Sequence, residues 1–386
     1  MYSSDGSGHM KEQYHPGLEN VAACETAISF LDVEHEEIVI RGYDLIELAR
    51  KRDYLDVAYL ILNGNLPTLQ ERSALETEMR GNSNLPEEVY EVLKLLPTQT
   101  HPMDALRTGI SLTSGYDAEL ENRSSDANYR KAIRLLAIIP QIVANSHHLK
   151  TSVDPIRPLS WLHYSANFLH MITANIPSDQ EARIFDQVLI AYSEHEMPNS
   201  TFTARVIAST QADLYCALTG AVASLKGSLH GGANEAVMQM LLEAGSADRM
   251  ETYMLAKLEQ KERIMGFGHR VYMKKMDPRA QLMKVATAEL AKSKGQEELY
   301  EMCLIGERVM LREKNLYPNL DYYAAPVLHM LGILIDLFTP VFLTARSVGL
   351  CAHVSEQHNH NRLFRPRVKY TGLRDLHVEE RKEFSL

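Results

Sequence analysis

Four short stretches carry side chains able to move protons or hold anions. GSLHGGANEAV (227–237) sets His230 ahead of a Gly-Gly pair and a run of good helix formers, which places the imidazole at a helix N-terminus. The dipole and free N–H groups there disfavour an added positive charge, so a neutral ring able to donate to a developing oxyanion is expected. GFGHRVYMKKMDPR (266–279) hangs His269 on a glycine turn, where Gly266 and Gly268 could bring backbone N–H groups close to a ligand. Arg270, Lys274, Lys275 and Arg279 follow as donors for phosphate or carboxylate, arginine being suited to bidentate carboxylate binding. Two plainer alternatives stay open: a tight turn that His230 merely caps, and a solvated basic helix face.

YSEHEMPNS (192–200) puts His195 between two glutamates just before a helix-ending proline. No second histidine follows four residues on, so the HExxH zinc signature fails, and a core histidine is the competing reading. NLDYYAAP (319–326) surrounds Asp321 with aromatic and apolar neighbours, where desolvation raises a carboxyl pKa and makes the carboxylate a stronger base. TARSVG (344–349) places Arg346 in an apolar helix, a position that demands an anionic partner. RLFRPRVKY (362–370) adds Arg362, Arg365 and Arg367 around a proline, as an extended arm. The histidines of HVSEQHNH (353–360) match no closed zinc set, and a metal hydrolase built on them is the weakest of the enzyme readings.

The elements that must position these residues are helical. Leu55, Ala58, Tyr59 and Leu62 share a helix face, as do Ile184, Val188, Leu189 and Tyr192, and Leu282, Val285, Ala286 and Leu290. Asp44 with Glu47 and Ser178 with Glu181 have capping-box spacing, and Pro86-Glu87-Glu88 reads as a first turn. LNGNLP (62–67) and GNSNLP (81–86) supply breaks. Strand signal is confined to ISFLD (28–32) and EIVIRG (37–42), which predict one small N-terminal hairpin. Strands do not alternate with helices, so the fold class is mostly α and a Rossmann or barrel architecture has little support.

Length and composition bound the function. A chain of 386 residues has room for two domains or one large one. The net charge of −10, with no basic tail, argues against a nucleic-acid binder and makes a small anion the natural partner of local basic patches. Cys24, Cys216, Cys303 and Cys351 are widely spaced with no CxxC, which reads as reduced, mostly buried thiols of a cytoplasmic protein. The opening MYSSDGSGHM (1–10) reads as a tag remnant. The apolar region 322–350 is interrupted by Pro326, Asp336, Pro340 and Arg346, so a soluble protein is expected. The chain becomes more charged after ALTGAVASLKGSLHGG (217–232), and apolarity returns after Asp321, which suggests a small helical domain at 226–325 inserted into a larger one, 11–225 plus 326–386.

Taken in order, LHGGANEAV, GFGHRVYMKKMDPR, NLDYYAAP, TARSVG and RPRVKY resemble the successive motifs of the citrate synthase family. The likeness runs from GLENVAACETAISFLD (17–32) to the C-terminus, and SEHEMPNSTFTARVIAST (193–210) is most similar to the bacterial 2-methylcitrate synthase branch. The resemblance implies a helical homodimer with a small domain that closes over the substrates. It implies condensation of propionyl-CoA, and also acetyl-CoA, with oxaloacetate and water to give 2-methylcitrate or citrate and CoA. Asp321 would take the α-proton, His230 would stabilise the enolate, and His269 would polarise the oxaloacetate carbonyl. His195, Asn199, Arg279 and Arg346 would bind oxaloacetate, with Arg365 supplied to the neighbouring subunit. Met265, Gly266, Gly268, Arg270 and Lys274 would meet coenzyme A, which is substrate; no tightly bound cofactor, metal, membrane or nucleic acid is implied. Control by NADH through a long N-terminal extension is not expected. The alternatives are a citrate synthase proper preferring acetyl-CoA, and a helical CoA-binding protein without catalysis.

Overall fold

The computed structural model describes residues 14–378 apart from 33, 36 and 270–274, so the tag-like residues 1–10 and the basic segment with Arg270 and Lys274 lie outside the described residues. Thr26–Arg362 forms one compact unit; Met1–Glu25 and Leu363–Leu386 form a second.

The main unit opens with a small antiparallel sheet, β1 (Ser29–Asp32), β2 (Glu37–Ile40) and β3 (Tyr43–Asp44). Ser29 pairs with Ile40 and Asp32 with Glu37, as the expected hairpin requires. The third strand was not foreseen. Arg41 and Gly42 both have positive φ, 50° and 89°, and this tight reversal returns Tyr43 to Ile40. The unusual Arg41 backbone is held by its side chain, whose guanidinium donates to the carbonyls of Ile61 and Ala27.

Helices make up the rest: α1 (Leu45–Lys51), α2 (Tyr54–Asn63), α3 (Leu69–Gly81), α4 (Glu87–Leu95), α5 (Pro102–Thr113), α6 (Ser125–Lys150), α7 (Tyr164–Thr173) and α8 (Asp179–Ser193). They continue as α9 (Asn199–Ala208), α10 (Leu214–Leu225), α11 (Ala233–Ala244), α12 (Ala247–Glu259), α13 (Pro278–Lys294), α14 (Glu297–Lys314), α15 (Leu320–Met330) and α16 (Phe338–Asn359). Ser178 and Glu181 close a full capping box at α8. Asp44 caps α1 through the Glu47 N–H, but the Glu47 carboxylate turns to Lys51 instead of closing the box. A second complete box, Thr68 with Glu71, starts α3.

The core is built around α16, which packs against α2, α6, α8, α9 and α10. The stretch Ile335–Asn359 is long and apolar enough to cross a membrane, yet 83% of its most apolar window is buried inside the protein. Proline inside α6 has a local remedy: Pro140 cannot donate to the Leu136 carbonyl, and the Tyr164 hydroxyl does so at 3.1 Å. On α13 the buried face differs from expectation. Leu282, Ala286 and Leu290 are buried but Val285 is half exposed, its place taken by Met283 and Thr287. Cys303 and Cys351 are buried as expected; Cys216 is exposed, because it sits on the outer side of α10.

Candidate active site

Five of the residues singled out in the sequence hang from helix ends or the loops between helices. His195 lies two residues beyond α8, and His230 in the turn between α10 and α11. His269 lies in the chain between α12 and α13, and Arg279 and Asp321 are the second residues of α13 and α15. Only Arg346 sits mid-helix, in α16.

Tyr192, at the end of α8, is the hub that links them. Its hydroxyl donates to Asp321 Oδ1 at 2.8 Å and accepts from the Asn234 amide at 3.4 Å. Its carbonyl accepts from Arg346 Nε at 2.6 Å. One residue thereby ties α8 to the first turns of α11 and α15 and to the middle of α16. Asp321 is hemmed in by protein but keeps part of its surface open. Burial pushes its carboxyl up from the usual carboxylate range; the Tyr192 hydrogen bond and then the charges of Arg279 and Arg346 pull the other way without cancelling it.

The histidines are held neutral. His230 Nε2 accepts the Ser200 N–H at 3.0 Å and lies 2.9 Å from Ser200 Oγ. It therefore caps the first turn of α9, whose own N-cap position is Pro198 and offers no side-chain cap. The proton is left on Nδ1. Burial, and next the charge of Arg346, lower its pKa to about 4. The expected helix N-terminus is thus present twice over: His230 precedes α11, but the N–H group bonded to its Nε2 belongs to α9. His269 is likewise lowered to about 4, by burial and then by Arg279. His195 is depressed well below its ordinary value, first by burial and then by Arg279, His269 and Arg346, and its ring meets that of His269 edge-on at 5.2 Å.

The loop before His269 is clamped to the chain leading into Asp321. Gly268 N–H donates to the Tyr317 carbonyl at 2.9 Å, Asn319 N–H donates to the Gly266 carbonyl at 2.9 Å, and Phe267 bridges to Pro318. Both glycines have positive φ, 87° and 77°, and a Cβ on Gly266 would stand 2.6 Å from Val237 Cγ2. Close packing at Gly266 and a left-handed backbone at Gly268, whose N–H is already spoken for, are what the glycines supply in this structure. Met265, at the start of that loop, is partly buried.

Two buried cations are held in different ways. Arg279, 5% exposed, is gripped by Asp277 through Nε at 3.1 Å and a terminal nitrogen at 2.7 Å. Arg346, 2% exposed, lies over the Phe342 ring, and among the described residues no carboxylate is within ion-pair distance of it. Burial lowers it to about 10, with Glu194 the largest opposing influence, so it stays charged at neutral pH. Glu194, fully buried, accepts from Ser29 Oγ at 2.9 Å and from His353 at 3.2 Å. Ser29 Oγ also accepts the Glu196 N–H at 3.0 Å, so a single hydroxyl of β1 braces both residues that flank His195.

Asn199 is exposed at the first position of α9, its side-chain oxygen accepting from Ser224 Oγ. Arg365 is exposed and belongs to the terminal unit. The C-terminal histidines are taken up by packing: His353 binds Arg205 and Glu194, and His358 binds Asn128 and the Ala212 carbonyl. Among the described residues no group of three or more His, Cys, Asp or Glu could hold a metal ion. Sequence reasoning missed Tyr192, Ser200, Asn234, Asp277 and Asn319. The last two had a signal, each being a capping residue directly before a helix that starts with a site residue.

A raised carboxyl, neutral imidazoles and buried arginines beside it permit proton transfer next to an anion, which defines an acid–base enzyme on a helical scaffold. The family model described as citrate synthase, C-terminal domain, matches residues 17–367. The chain is 57% identical over 368 residues to a citrate synthase of Heyndrickxia coagulans, covering 95% of this chain and 99% of the other. It is 58% identical over 364 residues to a citrate/2-methylcitrate synthase of Bacillus subtilis, covering 94% and 98%. The solved ternary complex of Thermoplasma acidophilum citrate synthase with carboxymethyl coenzyme A and oxaloacetate superposes with a TM-score of 0.90 at 27% identity, covering 96% and 99%. The protein belongs to the citrate synthase family.

Proposed function

We propose that the protein condenses an acyl-CoA, propionyl-CoA and also acetyl-CoA, with oxaloacetate and water to give 2-methylcitrate or citrate and free CoA. The observation that carries this reading is the state of Asp321: a carboxylate made more basic by burial and aimed by Tyr192. A thioester α-proton is a very weak acid, so its removal needs both a competent base and a donor for the enolate oxygen. Asp321 takes the proton, and the electron pair moves onto the thioester oxygen, which the Nδ1–H of His230 meets. The nucleophilic carbon then attacks the ketone carbonyl of oxaloacetate, polarised by His269, which passes a proton to that oxygen as it becomes an alkoxide. Water finally cleaves the thioester and CoA leaves as the thiol.

Oxaloacetate carries two carboxylates, which suit Arg346, Arg279 and His195, with Asn199 at the edge of the site. The family's use of a CoA thioester as substrate supports placing Met265, Gly266, Gly268, Arg270 and Lys274 along the CoA path. A small domain at 226–325 would carry His230, His269, Arg279 and Asp321 towards His195 and Arg346 in the larger one, and its closure would exclude water during condensation. The assembly is a homodimer in which Arg365 reaches the neighbouring site, working in the cytoplasm.

One methylene in an apolar pocket is worth about 1–3 kcal/mol, so both acyl-CoAs are expected to react. The relatives' names, citrate synthase at 57% and citrate/2-methylcitrate synthase at 58%, keep acetyl-CoA preference as the second reading. The test is oxaloacetate-dependent CoA release measured across a concentration series of each thioester. A higher kcat/KM for propionyl-CoA supports 2-methylcitrate synthesis, a higher value for acetyl-CoA moves the preference to citrate, and release with neither refutes the reading.

A further inference from the structure

Asn319 uses both ends of one amide to join two parts of the site. Its Oδ1 accepts the Asp321 N–H at 3.1 Å, capping α15. Its Nδ2 donates at 3.1 Å to the carbonyl of Gly268, the residue before His269 and 51 positions away in sequence. The backbone clamp between Gly266, Gly268, Tyr317 and Asn319 runs alongside.

Capping alone does not call for asparagine. Aspartate and serine cap a helix about as well, since each offers an oxygen to the first-turn N–H groups. Backbone conformation does not call for it either: Asn319 has φ −95° and ψ 177°, ordinary extended geometry. A serine hydroxyl can accept and donate but is too short to span both partners, whereas an amide carries its acceptor for the cap and its donor for a distant carbonyl on separate atoms.

We infer that Asn319 is a positioning residue, which holds the Asp321 carboxylate and the His269 ring in register so that the carbon losing its proton faces the carbonyl it attacks. This deepens the condensation reading and rests on it. A displacement of the order of 1 Å between reacting groups costs roughly a hundredfold in rate, whereas ground-state binding of each substrate depends on other residues.

The test compares the full-length protein with Asn319→Asp and Asn319→Ser, using oxaloacetate with propionyl-CoA and with acetyl-CoA. Both variants keep a capping oxygen; aspartate sets an oxygen against the Gly268 carbonyl, and serine is too short to reach it. The expected result is a fall in kcat of about 10- to 100-fold with each KM within about threefold and a thermal midpoint close to that of the parent. In the aspartate variant the added charge beside Asp321 moves the acid limb of the pH–rate profile upward; in the serine variant the limb stays in place. The inference is overturned if kcat stays within about twofold in both variants, or if lost activity merely follows lost folded protein. Should the aspartate variant not fold, the serine variant decides by the same criteria. An inactive parent protein is a different outcome: it removes the condensation reading and the inference together.

Discussion

Replacing Tyr192 with phenylalanine removes one hydroxyl and leaves a ring of the same shape. The ring packs edge-on against Phe342 at 4.6 Å, and the Tyr192 carbonyl that holds Arg346 is untouched, so the site keeps its frame. What is lost is the 2.8 Å hydrogen bond into Asp321 Oδ1, which stabilises the charged carboxylate and lowers its pKa. Hydrogen bonds to charged groups contribute about 1.5–3 kcal/mol, and 1.36 kcal/mol corresponds to one pKa unit, so the Asp321 pKa should rise by about one to two units. Since the base must be ionised to act, the acid limb of kcat moves to higher pH by the same amount. Initial rates read from loss of thioester absorbance between about pH 5 and 9, with both substrates saturating, measure this without dependence on thiol ionisation. A folded Tyr192→Phe protein whose limb stays in place, or moves to lower pH, would refute the assignment of Asp321 as the base.

Asp321→Asn should abolish turnover and raise the thermal midpoint at pH 7. The folded pKa of Asp321 lies above its unfolded value, so its ionisation opposes folding above that range, and the gain should fade as pH falls towards about 4. Arg346→Leu should raise KM for oxaloacetate by about a hundredfold, in line with roughly 2–5 kcal/mol for a desolvated charge contact, while KM for the acyl-CoA changes little; an unchanged oxaloacetate KM removes Arg346 from the binding set. Arg365→Ala and Asp321→Ala proteins, each inactive, should regain activity when unfolded and refolded together, because a mixed dimer assembles one site with both residues intact. No recovery would place Arg365 outside the neighbour's site.

The sequence made most of the helical fold legible because its signals are local. Ser178 and Glu181 are three residues apart and form the box their spacing predicts. Thr68 and Glu71, at the same spacing directly after the break LNGNLP, do the same. The third strand is only two residues long and exists because of the Arg41-Gly42 reversal, which propensity does not signal. His195, His230, His269 and Asp321 stood out because glycine, proline or aromatic neighbours made their settings unusual. Tyr192 did not, since on its own helix it is one more apolar position; its partners Asp321 and Arg346 are 129 and 154 residues away. Ser200 was equally silent until the turn carrying His230 was folded against it.

The brace that Ser29 applies to the His195 loop has a consequence for the order in which the chain is made. Ser29 leaves the ribosome early, but Glu194 follows 165 residues later, a delay of about ten to thirty seconds at 5–20 residues per second. The neighbouring Ala27 N–H waits for Glu356, 329 residues on. β1 pairs with β2 as soon as both are made, but the His195 loop gains its last brace only when His353 reaches Glu194, so a chain still short of α16 holds that loop less firmly.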